Sequence, residues 1–394
     1  MKKHVVIAGG GPAGMMLGLL LARAGSHATV LEKHADFLRD FRGDTIHPST
    51  LELLHELGLA EEFLRLPHQE VRELNAQFGD ERLKVAEFSG LRARYPFIAM
   101  IPQWDFLDFL ARHAAGYPSF RLEMQCAAQD LLYRDGRVGG VKTTKGDIEA
   151  DLVIGADGRH STVREKAGLE LVDLGAPIDA LWFRVSRDAG DPPETMARFD
   201  RGSILVMLNR GDYWQCAFVI AKGTLEPLKE RGLEAFRATL GSLMPFAKAR
   251  MSALRSWDDV KLLTVQVNRL RRWYREGLLC IGDAAHAMSP VGGVGINLAI
   301  QDAVAAANVL WRQDFSLGRL SEVQARREFP TLATQRFQVL VQDRILKRVL
   351  GEGDAIRPPL AVRLLTRYAF LRRIPARVVG IGVRPEHVRS PVRA

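Results

Sequence analysis

The tightest constraint on this chain is a glycine triplet set between two apolar strands. Val5-Val6-Ile7-Ala8 is a short β-branched run of the kind buried in a parallel sheet. Gly9-x-Gly11-x-x-Gly14 follows at once, with Pro12 and Ala13 inside it, and residues 15–23 read as a helix closed by Gly25. Ala28-Thr29-Val30-Leu31 is a second strand ending in Glu32 and Lys33, with Glu32 standing 18 residues after Gly14. In that order the first glycine makes the tight turn, the second lets backbone approach a pyrophosphate, and the third lets helix pack on strand. The helix N-terminus meets the phosphates and the acid accepts ribose hydroxyls, so the segment predicts a dinucleotide site. Residues 5–22 also form an uncharged stretch of 18 residues behind Lys2 and Lys3, long enough for a signal or membrane segment. The run Gly9-Gly10-Gly11-Pro12-Ala13-Gly14 at its centre argues against that, because it would break a hydrophobic helix.

Two further strand-and-turn units lie far down the chain. Residues 151–156 form an apolar strand leading into Asp157-Gly158, with Arg159, Ser161 and Arg164 following. Residues 278–281 lead into Gly282-Asp283-Ala284-Ala285-His286, then Pro290-Val291-Gly292-Gly293-Val294-Gly295-Ile296-Asn297 and a helix over 298–310. An Asp just past a strand end can hold a polyol hydroxyl. The glycine-rich turn leaves backbone N–H groups at a helix start, where they stabilise an electron-rich carbonyl oxygen. Reduced flavin carries negative charge on such an edge. With the N-terminal placement of the first motif, this favours FAD over NAD. Arg42-Gly43-Asp44 falls ten residues past Glu32, before a helix whose cap reads as Ser49 or Thr50. Arg42 is either a pyrophosphate or flavin-edge contact or a solvated loop residue.

These residues together resemble the single-component aromatic hydroxylases, flavoprotein monooxygenases of the para-hydroxybenzoate hydroxylase type. The resemblance spans residues 5–310 with the motifs in family order. It implies that Gly9, Gly11, Pro12, Ala13, Gly14, Glu32 and Lys33 serve the ADP half of FAD, and Asp157-Gly158 serves FAD and NAD(P)H. It further implies that Gly282 and Asp283 meet the ribityl chain, and that Pro290, Gly293, Gly295, Ile296 and Asn297 form the isoalloxazine-edge turn. Arg42 and Gln103 fall where the family contacts FAD through Arg and Gln, and Ala128 where backbone meets adenine. The implied fold is α/β: a Rossmann-like FAD-binding domain (1–70, 98–175 and 265–330) with an inserted, mostly antiparallel β-sheet substrate domain (71–97 and 176–264) and C-terminal helices. The implied activity is hydroxylation of a small aromatic or heteroaromatic substrate with NAD(P)H and O2 through a flavin C4a-hydroperoxide. Because the cofactor carries that chemistry, no catalytic side chain is named. A same-fold flavin reductase or oxidase, and a flavin-binding redox sensor or docking protein, stay as alternatives. One departure concerns Arg42, which Gly43-Asp44 follows where the family often has Ala. There is no second Gly-x-Gly-x-x-Gly unit and no cysteine pair.

Residues 178–220 alternate as antiparallel strands (180–185, 203–209 and 213–220), with Asn209-Arg210-Gly211-Asp212 as a hairpin turn. Alternation puts Tyr213, Gln215, Ala217 and Val219 on one face and Trp214, Cys216, Phe218 and Ile220 on the other. It leaves open which face meets the flavin. His47, His286 and Arg184 are candidate pocket groups, although a lone histidine is more often structural.

The chain carries 55 Lys and Arg against 46 Asp and Glu, a net charge of +9, with 47% hydrophobic residues, which excludes global disorder. Residues 341–394 hold 12 basic and 4 acidic side chains, leaving a surplus of only +1 on the rest. The body is therefore not a nucleic-acid surface. Residues 331–394 read as a basic helical region, with helices over 338–350 and 360–371. In it Arg344, Lys347 and Arg348, and then Arg363 and Arg367, recur at helical spacing. Two readings exist: contact with an anionic membrane surface, or a solvated face whose apolar stripe packs on the FAD-binding domain. The second is favoured, because charge runs usually mean solvation. Three scattered cysteines predict neither a disulfide framework nor a metal site, and a cytoplasmic setting.

Overall fold

A computed structural model describes residues 3–38, 44–200, 202–351, 358, 360–368 and 370–393. Its first layer is a six-stranded sheet, with strands in the order Tyr274–Arg275, Leu278–Cys280, Leu152–Gly155, His4–Ala8, His27–Leu31 and Phe120–Glu123. All neighbours are parallel except the first pair. The central strands are apolar on both faces because helices cover both sides. Pro12–Arg23, buried from Ala13 to Ala22, packs against Gly295–Leu310. The stretch at 5–22 that has the length of a membrane segment is thus a core strand and a core helix. The same holds for Val291–Leu310, apolar enough to span a bilayer but mostly buried inside the fold.

The second layer is a seven-stranded sheet in the order Lys261–Leu263, Ile178–Ser186, Tyr213–Ala221, Ser203–Asn209, Met196–Asp200, Glu73–Phe78 and Glu81–Glu87. It is antiparallel except where Met196–Asp200 meets Glu73–Phe78. Trp214, Cys216, Phe218 and Ile220 form a separate core with Phe236, Leu240 and Leu243 of the helix Leu233–Leu243. The opposite face, with Gln215, Ala217 and Val219, is turned toward the first layer.

Four sequence expectations need correction. The helix Pro48–Glu56 starts on Pro48 with His47 at its cap position, so neither Ser49 nor Thr50 caps it. Proline is well suited to the first helical position, where its missing N–H costs nothing. The helix expected over 338–350 belongs to a longer one, Leu317–Val341, which passes through Pro330 and runs into a π-helical turn at Gln342–Leu346 and a short helix at Lys347–Gly351. The helix expected over 360–371 is Leu360–Arg367, and a further helix, Arg373–Gly380, follows. The apolar stripe of this region packs mainly on the seven-stranded sheet. Val349 joins Ile178, Ile204 and Val219, and Val362 joins Ala76 and Phe78.

A strand end of the first layer, the core helix Gly295–Leu310 and the long helix meet at one buried carboxylate. Asp302, fully buried in Gly295–Leu310, accepts the Gly282 N–H at 3.0 Å and the His286 Nε2–H at 2.6 Å on Oδ2, and the Arg327 Nε–H at 2.9 Å on Oδ1. Burial alone would raise its pKa, but the charges and hydrogen bonds of His286 and Arg327 outweigh burial and hold the carboxyl below its ordinary range. Asp302→Asn strands the Arg327 guanidinium in the core, so the substitution is expected to destabilise the fold by about 3–5 kcal/mol. Urea unfolding checks this, and an unchanged midpoint contradicts it.

Candidate functional site

The ends of three adjacent parallel strands converge on one crevice. Gly9 follows the strand His4–Ala8 and donates its N–H to Leu31 O at 2.8 Å. A Cβ on Gly14 would stand 1.9 Å from Gly9 O, so only glycine closes this turn. A Cβ on Gly11 would meet nothing within 4 Å, which leaves that side open to a ligand. Pro12 and Ala13 begin the helix, whose first turn has no capping side chain and no acid. Its leading N–H groups are free to bind an anion. Glu32 is buried and accepts the Gly10 N–H at 3.2 Å and the His34 N–H at 3.0 Å, while Lys33 beside it is exposed. Gln103 opens the helix Gln103–Ala115, its N–H donating to Asp44 Oδ1 at 3.3 Å, and half-buried Ala128 opens the strand Ala128–Arg134. Arg42 lies outside the described residues.

The second strand end is a brace. Asp157 accepts the Ser161 hydroxyl at 2.5 Å and the Val163 N–H at 3.1 Å, tying the strand Leu152–Gly155 to the helix Thr162–Lys166. Burial pushes its pKa up, and those hydrogen bonds only partly offset it. Gly158, at φ 88°, makes the turn beside it. Arg164 donates to Ala284 O at 3.1 Å and Arg159 O at 2.8 Å, linking the Asp-Gly turn to the Gly-Asp turn. At the third strand end, Gly282 is held by Asp302, while the half-buried Asp283 carboxylate has no hydrogen-bond partner among the described residues. Its acceptor capacity is unused within the protein.

The glycine-rich turn is clamped from both sides. Thr45 Oγ1 donates to Gly293 O at 3.0 Å. Asn297 Oδ1 accepts the His47 N–H at 2.9 Å and the Thr50 hydroxyl at 2.7 Å, and its Nδ2 donates to Thr45 O at 3.0 Å. The Asn297 side chain thus ties residues 45–50 to the turn through its oxygen and one of its N–H groups. The first intrahelical bond here runs from Leu298 N–H to Val294 O, so the N–H groups of Gly295, Ile296 and Asn297 precede it. Exposed Pro290 starts the turn and accepts the Gly293 N–H at 3.0 Å. From the other side a row of glutamines on the long helix and the π-helical turn that continues it holds the approach to the turn. Gln335 Nε2 donates to Asn268 O at 2.8 Å and Ala287 O at 3.2 Å, and Gln338 Nε2 donates to Ser289 O and Val291 O, both at 2.9 Å. Gln342 Nε2 reaches the Ser289 hydroxyl at 2.5 Å.

Over this crevice, the hairpin turn of the seven-stranded sheet reaches back to the segment that leads into the short strand Thr45–Ile46. Arg210 pairs with Asp44, and its Nε donates to Gln215 Oε1 at 3.0 Å. Burial raises the Asp44 carboxyl and lowers the Arg210 guanidinium, each countered in part by the other's charge. Arg184 stacks over the Tyr213 ring at 5.0 Å. Val219 shares an apolar cluster with Val291 of the turn. The face bearing Tyr213, Gln215 and Val219 is therefore the one that looks at the crevice, the point alternation had left open.

A family model described as FAD binding domain matches residues 2–312. The 6-methylpretetramide 4-monooxygenase of Streptomyces rimosus is 34% identical over 402 residues, covering 98% of this chain and 94% of that protein. The chain belongs to the FAD-dependent aromatic hydroxylase family. It is an FAD-dependent monooxygenase. The 12-dehydrotetracycline 5-monooxygenase/anhydrotetracycline 6-monooxygenase of Streptomyces rimosus subsp. rimosus is 29% identical over 79% of this hydroxylase and 62% of its own length. The fold matches the crystal structure of PqsL, a probable FAD-dependent monooxygenase from Pseudomonas aeruginosa (TM-score 0.75, 21% identity, 89% and 99% of the two chains). It also matches a mutant of 2-methyl-3-hydroxypyridine-5-carboxylic acid oxygenase (TM-score 0.75, 20% identity, 99% and 100%).

Several residues that shape the crevice carry no motif. Asp302, Arg327, Thr45 and Asp44 act across long sequence separations, which local pattern does not reveal. Only the glutamine row left a trace, its spacing of three and then four residues marking one helix face. His47 and His286 are both structural, the latter through Asp302.

His47 is fully buried, with Nδ1–H donating to Val379 O at 2.7 Å, and burial lowers its pKa to about 4 from an ordinary 6.5. A depressed histidine stabilises the fold above pH 6.5, and that contribution is lost as pH falls through about 4. The difference corresponds to about 3 kcal/mol. Urea unfolding between pH 7 and pH 4 is expected to show a shallower acid loss for His47→Phe than for the native protein. Equal slopes contradict this origin.

Proposed function

We propose that FAD lies along the crevice with its ADP half at Glu32 and its isoalloxazine edge at the turn 293–297. In this reading Gly9, Gly11, Pro12, Ala13 and Gly14 present backbone to the pyrophosphate, and Asp283 accepts ribityl hydroxyls. The N–H groups of Gly295, Ile296 and Asn297 meet the flavin edge, with Gln103, Ala128 and Gly158 along the rim. The carrying observation is the row of unused polar groups at neighbouring strand ends: open Gly11, an uncapped helix start, an unpartnered Asp283 and a second free helix start. Strand C-terminal ends are where α/β sheets bind their ligands.

Bound FAD would supply hydride acceptance from NAD(P)H and activation of O2. The protein's own part is placement. The helix start at Gly295 stabilises negative charge on the flavin edge. The sheet face with Arg184, Tyr213 and Gln215 orients a phenolic or heteroaromatic substrate. Val219, Val291 and Val349 exclude water from the reacting centre. Two relatives are named for 6-methylpretetramide and anhydrotetracycline, which supports an aromatic substrate.

The purified chain is expected to carry FAD. Asp283→Ala is expected to weaken it by about 1.5–3 kcal/mol, roughly 10- to 100-fold, at unchanged fold stability. Gly11→Ala is expected to do the same, since its Cβ meets only the ligand. Flavin fluorescence titration reads both variants. Phenolic and heteroaromatic acids are then screened for stimulated NAD(P)H oxidation, with peroxide measured alongside. A chain that binds no flavin, or whose NAD(P)H use ends wholly in peroxide with every aromatic tested, contradicts the reading.

A further inference from the structure

We propose that the outer face of residues 360–368 and 370–377 docks on an anionic membrane surface. The segment has two sides. Inward, Val362 packs on Ala76 and Phe78, and Ala376 packs on Phe88 and Met100. Outward, Leu360 is 83% exposed, Leu364 57%, Phe370 65% and Ile374 54%, with Tyr368 also exposed. Leu360 and Leu364 stand four residues apart on one face of the helix Leu360–Arg367, and Tyr368 follows directly past its end. Large apolar side chains gathered in so short a stretch of surface mark a contact site.

Charge identifies the partner. Residues 360–393 hold eight arginines, one glutamate and no lysine or aspartate. Arg363 and Arg372 turn back to Glu81 and Glu87 of the sheet, at 3.1 Å and 3.5 Å, and anchor the segment. Arg367, Arg373 and Arg377 are exposed and have no acidic partner among the described residues. Basic and apolar side chains are therefore exposed together along one short segment. A bilayer interface offers the matching order, with anionic headgroups directly above hydrocarbon. Arginine stems can cover apolar surface while their heads stay at the headgroups. A second copy fits poorly, since a two-fold contact sets these arginines against each other. Nucleic acid would satisfy the arginines and leave the leucines in water. The membrane then lies behind the same segment that backs the seven-stranded sheet.

The full-length, FAD-loaded protein is sedimented with phosphatidylcholine vesicles and with vesicles containing about 30% phosphatidylglycerol. Binding to the anionic vesicles alone is expected at low salt, with release at about 0.5 M salt, where screening is short-ranged. Leu364→Ser/Ile374→Ser and, separately, Arg367→Glu/Arg377→Glu are each expected to lower partitioning by about tenfold or more. Both variants are expected to keep flavin absorbance and vesicle-free NAD(P)H oxidation, and Arg134→Glu, on an unrelated surface, is expected to leave partitioning unchanged. Three outcomes overturn the proposal: no pelleting with anionic vesicles at low salt, equal pelleting with both vesicle types, or an equal loss in Arg134→Glu. A dimer abolished by Leu364→Ser/Ile374→Ser, in place of vesicle binding, assigns the face to a second copy and overturns it too.

Discussion

The buried Asp302 carboxylate organises this molecule. From one position in the core helix it receives the amide of Gly282, the ring of His286 and the guanidinium of Arg327. A charge so deep is tolerable only when fully paired and hydrogen-bonded, so each partner has to sit where it does. The first contact sets the angle at which the third strand end enters the crevice. The last draws the long helix Leu317–Val341 onto the sheet, and Arg327 passes the connection on to Arg384 O at 3.4 Å.

Two kinds of polar group therefore coexist around the crevice. Asp157, Asn297, Asp302 and the glutamine row spend their hydrogen bonds within the protein, and they hold backbone in place. Asp283 and the leading amides of two helices spend none, and they are what a cofactor can use. Rigid satisfied groups beneath unsatisfied ones make a preorganised site. Asn297 illustrates the division within one residue, because its side chain secures residues 45–50 while its backbone N–H stays free.

Much of this was legible in the sequence where the physics is local. Gly14 could be read as obligatory because strand, turn and helix lie within a few residues and leave no room for a Cβ. The strand at 203–209 and the hairpin at 209–212 followed from alternation and turn chemistry. Arg210 shows the limit. Its residue type and turn position were visible, but its partner Asp44 lies 166 residues away, in the segment leading into Thr45–Ile46. The cap at Ser49 or Thr50 failed for a similar reason: Thr50 turns its hydroxyl to Asn297, and Pro48 starts the helix without it.

By itself the sequence determined the dinucleotide-binding unit, the order of three cofactor motifs and the confinement of excess positive charge to the last 54 residues. Each depends on neighbours along the chain, whose spacing sets backbone geometry directly. Only the tertiary structure decided which face of the seven-stranded sheet meets the crevice. A period-two pattern defines two faces but does not name either, and packing of Trp214 and Phe218 on the helix Leu233–Leu243 breaks the tie. The tertiary structure also divided the basic tail into arginines that pair with Glu81 and Glu87 and arginines that face outward. Charge count is a property of the chain, but counter-charges are found across space.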